Sequence, residues 1–282
     1  MKSNLTRPLV FSTLSLAVVL TAATPAFAEP SSSSPSHRQG NTLASLYPHG
    51  RRAADLVGMN VRGSSGEDLG RVDNLVIDTS TGDVVYAIVS SGGVLGLGDT
   101  LRAVPFRALN YVSDKQTALT VKSSLAQWKS APVYVENHLA ELAGDAQAGS
   151  IFEYYGQTWP TVSTSQTGSA KPRHLQFSKE LADADVHAGD RSIGQVEDLV
   201  IDQAQGKAAV LLDPDDAFAG GTNKYVIPFS QLAARIGDDE TLTTNLTAED
   251  FRSAAKLDND WSSGGAKSIY IWSVDTGKQA AE

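Results

Sequence analysis

The chain has 282 residues, of which 41% are hydrophobic and 20% are charged, and its formal net charge is −9 at pH 7. This composition is typical of a globular protein with one or two domains and excludes a fibrous or low-complexity chain. The acidic balance argues against nucleic-acid binding, because phosphate contacts need basic side chains. The absence of cysteine excludes disulfides, thiolate metal ligands and a thiol nucleophile.

The first 28 residues are typical of a secretory signal peptide. Lys2 and Arg7 supply the basic start, residues 9–20 form an apolar run, and the A-F-A sequence at residues 26–28 matches a cleavage motif. A retained membrane anchor is the alternative, which the shortness of the apolar run disfavours. We expect a mature protein that begins at Glu29, carries a net charge near −11 from 21 basic and 32 acidic residues, and is periplasmic without stable membrane insertion.

Shifts in composition predict the domain boundaries. Residues 29–52 are rich in serine and other polar residues, which predicts a disordered tether. We expect a first domain at residues 53–135 and a second at residues 178–275. Residues 136–177 between them are expected to hold a short helix, an aromatic segment and a linker rich in Ser and Thr, and residues 276–282 predict a frayed tail.

The strongest pattern is a β-hairpin that occurs twice. Residues 69–89, LGRVDNLVIDTSTGDVVYAIV, alternate polar and apolar side chains around a turn that contains glycine, which is typical of a hairpin. Residues 193–212, IGQVEDLVIDQAQGKAAVLL, repeat it. The matching positions are 124 residues apart: Gly70 and Gly194, Val72 and Val196, Leu75 and Leu199, Ile77 and Ile201, Asp78 and Asp202, and Gly82 and Gly206.

The repetition extends beyond the hairpins. Residues 226–229 repeat the A-V-P-F sequence of residues 103–106 as V-I-P-F at a spacing of 123, so the second copy is one residue shorter between the hairpin and the proline strand. Residues 55–61 and 181–187 predict a strand before each hairpin. Short strands joined by turns are typical of a small barrel or sandwich, and the two copies predict a mainly β fold of two small barrels in tandem with short flanking helices.

Two short helices are predicted after the first barrel. Ser123 is the expected N-cap of one helix, with Leu125 and Trp128 on a shared face, and residues 138–148 predict another.

Several motifs of the first copy resemble a PRC-barrel domain. They are L-V-G at residues 56–58, G-R-V-D-N-L-V-I-D at residues 70–78, G-G-V-L-G-L-G at residues 92–98, and V-P-F at residues 104–106. This family is the small β-barrel shared by the photosynthetic reaction-centre H subunit and a ribosome maturation factor. The S-L-A-Q-W-K-S-A-P sequence that ends at Pro132 is similar to the helical tail of exported bacterial members.

The resemblance covers most of residues 55–132 and, less fully, residues 181–255. The second copy lacks the glycine-rich loop and has an acidic loop at residues 213–221 instead. The resemblance implies a barrel fold and binding to other macromolecules. It implies no catalytic residues and no cofactor.

The residues give little support to an enzyme. No G-x-S-x-G motif occurs, and none of the five histidines lies in a recognisable triad motif. The pairs Asp73 with Asp78 and Glu197 with Asp202 permit a reading as acid–base carboxylates. We favour strand and turn roles for them, because an Asp at a strand exit bonds locally to the turn.

Three aspartates in the acidic loop are weak candidates for a metal site: Asp213, Asp215 and Asp216. Calcium needs six to eight oxygen ligands in a shaped loop, and this loop lacks the EF-hand pattern. A solvated acidic loop is the favoured interpretation, and a weak divalent-ion site is the alternative.

Exposed apolar side chains are the candidates for partner binding. Val94, Leu95 and Leu97 lie between glycines in the first copy, where they either pack against the barrel or face a partner. Trp159 poses the same choice, as do the aromatic residues before it, Phe152, Tyr154 and Tyr155.

These observations favour a non-catalytic exported protein that binds a protein partner as an adaptor or assembly module in the cell envelope. A binding protein for a small ligand or divalent metal, with its site between the two barrels, is the alternative. An enzyme is the third hypothesis. The sequence predicts neither the partner nor the oligomeric state.

Overall fold

The computed structural model describes residues 50–92, 99–111, 118–136, 138–159, 173–219, 223–235, 241–257 and 268–271, all within one compact unit. Over these residues the chain is mainly β with short helices, as the sequence predicts. None of the described helices combines the length and apolar character needed to cross a membrane.

The described strands belong to one hydrogen-bonded sheet. In chain order they are β1 (Gly50–Arg52), β2 (Asn60–Arg62), β3 (Asp68–Asp78), β4 (Asp83–Ser91), β5 (Thr100–Pro105), β6 (Leu109–Asn110), β7 (Ala118–Val121), β8 (Leu175–Phe177), β9 (Asp185–Ala188), β10 (Arg191–Asp202), β11 (Lys207–Pro214), β12 (Asn223–Pro228), β13 (Leu232–Arg235), β14 (Thr241–Thr244), β15 (Ala255–Leu257) and β16 (Ser268–Ile271).

The helices are short and connect or flank the strands. The α-helices are α1 (Ala53–Leu56), α2 (Leu125–Ser130), α3 (Asp145–Tyr154), α4 (Ser178–Leu181), α5 (Asp216–Ala219) and α6 (Ala248–Ser253). The 3-10 helices are Phe106–Ala108, Leu139–Ala143 and Phe229–Gln231.

The structure corrects the predicted strands that precede the hairpins. Residues 55–61 and 181–187 begin with helical turns, and strand structure starts only at Asn60 and Asp185. Each turn is fixed by contacts to a distant part of the chain, which a local pattern does not reveal.

The predicted helices also differ in detail. Ser124, not Ser123, caps α2, because its hydroxyl and the Gln127 side chain each bond the other residue's backbone N–H. Trp128 is buried, whereas Leu125 is 42% exposed, so the two do not share a buried face. The helix predicted at residues 138–148 is a 3-10 turn followed by α3.

Two sets of six strands follow the same pairing scheme. The first repeat contains β2 to β7 and α2 (residues 60–130), and the second repeat contains β9 to β14 and α6 (residues 185–253). In each repeat the hairpin strands pair antiparallel, the second hairpin strand pairs with the proline strand, and the first strand pairs parallel with the last. Both predicted hairpins are confirmed.

Each repeat is an open path of strands. The orders are β5-β4-β3-β2-β7-β6 and β12-β11-β10-β9-β14-β13. Over the described residues no ladder joins the two end strands of either path. The mainly β prediction is confirmed, and closure into two barrels stays a prediction.

A β-bulge accounts for the one-residue difference between the repeats. Val76 pairs with Tyr86 and the next residue along β3 pairs with Val84, so Val85 has no partner in β3. The corresponding register in the second hairpin, over residues 198–202, is regular. The change in spacing from 124 to 123 therefore lies inside β4.

Each repeat is preceded by a strand that pairs with the other repeat. β1 lies antiparallel to β10, with Arg52 opposite Val200, and β8 lies antiparallel to β3, with Phe177 opposite Val76. The two ladders are equivalent, because Val76 and Val200 are matching hairpin positions. Both leading strands lie in the predicted tether and linker, and the wider domain boundaries stay predictions.

The hairpin tips of the two repeats also meet. The Val84 N–H donates to the Gly206 carbonyl at 3.0 Å, and the Ala208 N–H donates to the Gly82 carbonyl at 2.7 Å. These bonds exchange equivalent groups, so the two repeats are related by a local two-fold arrangement.

Two apolar clusters hold these elements together. The main core is continuous across the inner faces of both repeats and includes the fully buried Ile77, Phe106, Ile201 and Phe229. A second cluster lies on the opposite face of β3, β4 and β5, where α3 and its neighbours pack. Its members are Val76, Val85, Tyr86, Ile88, Ala103, Tyr134, Leu142, Ala148, Ile151, Phe152 and Trp159.

Candidate partner-binding surface

Of the four predicted partner-binding residues, the structure describes one. Val94, Leu95 and Leu97 lie outside the described residues, so their role stays a prediction. Trp159 is described and only 9% exposed.

Trp159 packs in the second cluster. Its ring stacks on Tyr86 with centroids 6.2 Å apart and meets Phe152 edge-on at 4.8 Å. Its indole N–H donates to an Asp145 carboxylate oxygen at 3.0 Å, and the Arg173 guanidinium lies 4.4 Å from the ring centroid. These contacts favour packing over presentation to a partner, and they cover a sheet face rather than a barrel end.

The three acidic-loop aspartates have separate neighbours. The Lys224 amine contacts the Asp213 carboxylate at 2.5 Å, and the Ser192 hydroxyl donates to Asp215 at 3.1 Å. Asp216 begins α5. In the part of the chain that the structure describes, no group of three or more His, Asp or Glu side chains is arranged to hold a metal ion. A ligand or metal site between the barrels stays a prediction.

The carboxylates at the hairpin exits bond to their own turns. One Asp78 oxygen accepts from the Ser80 N–H at 3.0 Å, and the equivalent Asp202 oxygen accepts from the Gln205 N–H at 2.9 Å. The turn role favoured from the sequence is confirmed for both residues.

The other members of the carboxylate pairs form ion pairs with the segments that lead into the opposite repeat. Lys179 contacts Asp73 at 3.1 Å, and Arg52 contacts Glu197. Lys224 contacts Glu197 as well, at 2.9 Å. Burial raises the pKa of Glu197, but the hydrogen bonds from Lys224 and Arg52 outweigh burial and leave its pKa below the usual value. This carboxylate is therefore held in its charged form by structural partners.

Sequence reasoning found only part of another exposed apolar set, because it named Tyr154 as a candidate but not Leu125, Val133 or Val135. Among the described residues the exposed large hydrophobic side chains all fall in one stretch between α2 and the end of α3. We call them the connector surface: Leu125 (42% exposed), Val133 (56%), Val135 (55%) and Tyr154 (38%). The V-Y-V alternation at residues 133–135 was the available signal, because alternate residues of an extended chain face opposite sides.

The connector surface is held in place by its neighbours. Tyr134 is buried in the second cluster, and its N–H donates to the Leu101 carbonyl at 2.8 Å, so the residues on either side face outward. The Tyr154 hydroxyl donates to the Gln127 carbonyl at 2.5 Å, which joins the end of α3 to α2. Hydrogen bonds to neighbouring elements therefore hold the segments that carry this surface.

Acidic side chains act on the inward-facing hydroxyl of Tyr134. Burial raises the pKa of that hydroxyl, and the negative charges of Glu136, Glu180 and Glu141 raise it further.

Comparison with known proteins supports the family that the motifs indicate. A family model described as the PRC-barrel domain matches residues 48–126. A search of curated proteins found no match. The matched range spans β1 to β7, α1 and the start of α2, and it includes the glycine-rich loop. Over residues 48–126 the chain thus matches the PRC-barrel domain, the family that its motifs resemble.

Proposed function

We propose that this chain is a non-catalytic, exported PRC-barrel protein that binds a protein partner as an adaptor or assembly module in the cell envelope. The observation that carries the proposal is the connector surface. Burying exposed side chains such as Val133 and Val135 against a partner removes apolar area from water and favours association.

The architecture shared by the two repeats supports the same proposal. The two hairpin carboxylate pairs bond to turns or to the segments that lead into the opposite repeat, so neither pair is free for acid–base chemistry. The connector surface begins at Leu125 in α2 and continues beyond the first repeat, and Tyr154 is joined to α2 through the Gln127 carbonyl. Exposed loops and connectors on a rigid scaffold are the usual place for binding residues.

Site-specific photocrosslinking in cells tests the proposal. A photoreactive residue at Val133 or at Val135 is expected to give a discrete crosslinked species in the periplasmic fraction. The matched control is the same residue at Gln195, an exposed position on the second repeat. The crosslinked species is then identified by mass spectrometry. Equal or absent crosslinking at all three positions contradicts partner binding through the connector surface.

A pair of substitutions separates binding from folding. Val133→Asp and Val135→Asp alter side chains that are more than half exposed, so we expect the melting temperature to change by no more than a few degrees. Partner crosslinking from the unchanged neighbouring valine is expected to fall. A large drop in melting temperature would instead show that these side chains stabilise the fold.

A further inference from the structure

Arg102 is a buried arginine in β5, with only 6% of its surface exposed. It lies opposite Val89 on the face of the sheet that contributes to the main core. One terminal nitrogen donates to the Ser91 hydroxyl at 2.9 Å. Among the described residues no carboxylate lies within ion-pair distance of its guanidinium, and its Nε atom has no hydrogen-bond partner.

Two more hydrogen-bond donors beside Arg102 are unpaired over the described residues. The Arg102 guanidinium carbon lies 5.3 Å from the centroid of the Trp128 ring, and the indole N–H of Trp128 has no partner although the residue is 2% exposed. The hydroxyl of Tyr155 is likewise buried without a partner. Burial raises the pKa of Tyr155, and the nearby charge of Arg102 opposes that shift.

The second repeat shows that the fold does not need a charge at this position. Tyr225 is the residue equivalent to Arg102. It lies opposite Leu212 of β11, as Arg102 lies opposite Val89 of β4. Its ring packs edge-on against Phe251 at 4.8 Å, and Phe218 of α5 packs against Phe251 at 5.2 Å. Phe251 matches Trp128 in the repeat. Aromatic packing therefore fills the site that, in the first repeat, holds a cation and two donors with no partner in the described part of the chain.

We propose that Arg102, Trp128 and Tyr155 form a binding site for a carboxylate group. A buried charge is costly unless it is paired, and buried donors without acceptors add to that cost. A carboxylate supplies the negative charge that Arg102 lacks among the described residues, and its two oxygens accept several hydrogen bonds at once. The guanidinium Nε edge, the indole N–H and the phenol hydroxyl are all able to donate to it.

The carboxylate has two chemical sources, a small carboxylic acid or an acidic side chain of a peptide. The probes are sodium acetate and the blocked peptide acetyl-Gly-Glu-Gly-amide, which has one side-chain carboxylate and no charged termini. Tighter binding of acetate assigns the site to small acids, and tighter binding of the peptide assigns it to acidic side chains. This inference does not depend on the connector surface.

The experiment follows the indole N–H resonance of Trp128 in the mature chain by NMR, assigned with a Trp128→Phe variant. Each probe is titrated at constant ionic strength against sodium chloride. The resonance is expected to shift saturably with at least one probe. The shift is expected to be lost in Arg102→Gln and in Arg102→Tyr, the latter being the residue that the second repeat has at this position.

Thermal melting completes the test. A ligand that binds only the folded state raises the melting temperature as its concentration rises. We expect that rise in the wild type and its loss in Arg102→Tyr, which is expected to fold because the second repeat accommodates Tyr225. The proposal is overturned if the Trp128 resonance of the wild type responds to neither probe. It is also overturned if both Arg102 variants respond as strongly as the wild type does.

Discussion

Asn74 and Asp198 occupy equivalent positions in the two repeats, and each accepts a hydrogen bond from the helix that leads into the other repeat. The Lys179 N–H of α4 donates to Asn74 at 3.3 Å, and the Ala54 N–H of α1 donates to Asp198 at 3.4 Å. The side-chain oxygen of each residue also accepts from the backbone N–H of the residue that follows it. One amide and one carboxylate thus perform the same structural role.

Asp198 gives the first prediction, on pH dependence. Burial raises its pKa. The hydrogen bond from the Leu199 N–H and the positive charge of Arg52 lower the pKa, but they do not outweigh burial. An acid whose pKa is higher in the folded state loses stabilisation as pH rises through that pKa. Asp198→Asn copies Asn74 and does not titrate. The free energy of unfolding of this variant, minus that of the wild type, is therefore expected to increase as the pH rises from 4 to 7, measured by urea unfolding.

The neighbouring Glu197 gives a control of opposite sign. Its pKa is lowered in the folded state, so its stabilisation is present at neutral pH and is lost as pH falls through the folded pKa. Glu197→Gln is expected to be less stable than the wild type at pH 7, with the difference shrinking toward pH 4. The same sign of pH dependence in both variants would contradict the assigned roles.

The second prediction concerns the equivalent core residues Ile77 and Ile201, both of which are fully buried. Truncating a buried isoleucine removes apolar contacts and leaves a cavity. Ile77→Ala and Ile201→Ala are each expected to lower the free energy of unfolding by about 2–5 kcal/mol. Denaturant unfolding measures both. A loss below about 0.5 kcal/mol, the scale of surface substitutions, would show that the residue is not in the core.

The third prediction uses the equivalent glycines Gly70 and Gly194. Their φ angles are +137° and +146°, and an added Cβ at either would lie 2.2 Å from a carbonyl oxygen of the partner hairpin strand. Backbone strain and overpacking each cost roughly 1–3 kcal/mol, so Gly70→Ala and Gly194→Ala are each expected to cost about 2–6 kcal/mol.

Gly189→Ala is the control for that experiment. Gly189 also has a positive φ, of +65°, but an added Cβ there meets no atom within 4 Å. Its substitution carries only the backbone cost of roughly 1–2 kcal/mol. Similar losses at all three positions, measured by denaturant unfolding, would show that the close approach of the strands is not the main constraint.

The fourth prediction concerns the mature N-terminus. Cleavage after the A-F-A motif leaves a protein that begins at Glu29. N-terminal sequencing of the periplasmic fraction is expected to read E-P-S-S-S. A chain that retains Met1 would contradict export by a cleaved signal peptide.

The hairpins were predictable because their pattern is local. Ile77 and Ile201 lie in alternating strands that end in turns, so the strand positions follow from residues close in sequence. β1 and β8 were not predictable, because these three-residue strands pair with residues far away in the sequence, Arg52 with Val200 and Phe177 with Val76. Their local sequence resembles a tether or linker.

The candidate site was predicted only in part. Apolar residues on the glycine-rich loop remain candidates, whereas Trp159 lies in a packed cluster. Val133 and Val135 are exposed because Tyr134, which lies between them, points toward the sheet. Only the tertiary structure determines which of these alternating side chains point inward. Arg102 resembles any strand arginine in sequence. Its burial without a carboxylate, over the described residues, is a tertiary property.

The exchange of leading strands bears on the ancestry of this chain. A single repeat with its leading strand would leave two sets of backbone groups unpaired. One set is on the leading strand itself, and the other is on the end of the first hairpin strand, where the leading strand of the other repeat pairs. Two copies of such a chain satisfy both sets by pairing reciprocally, as a symmetric homodimer does. Gene duplication and fusion would join such a dimer into one chain, and the sequences of its halves would then be able to diverge. Arg102 in one half and Tyr225 at the equivalent position of the other are an example of such divergence.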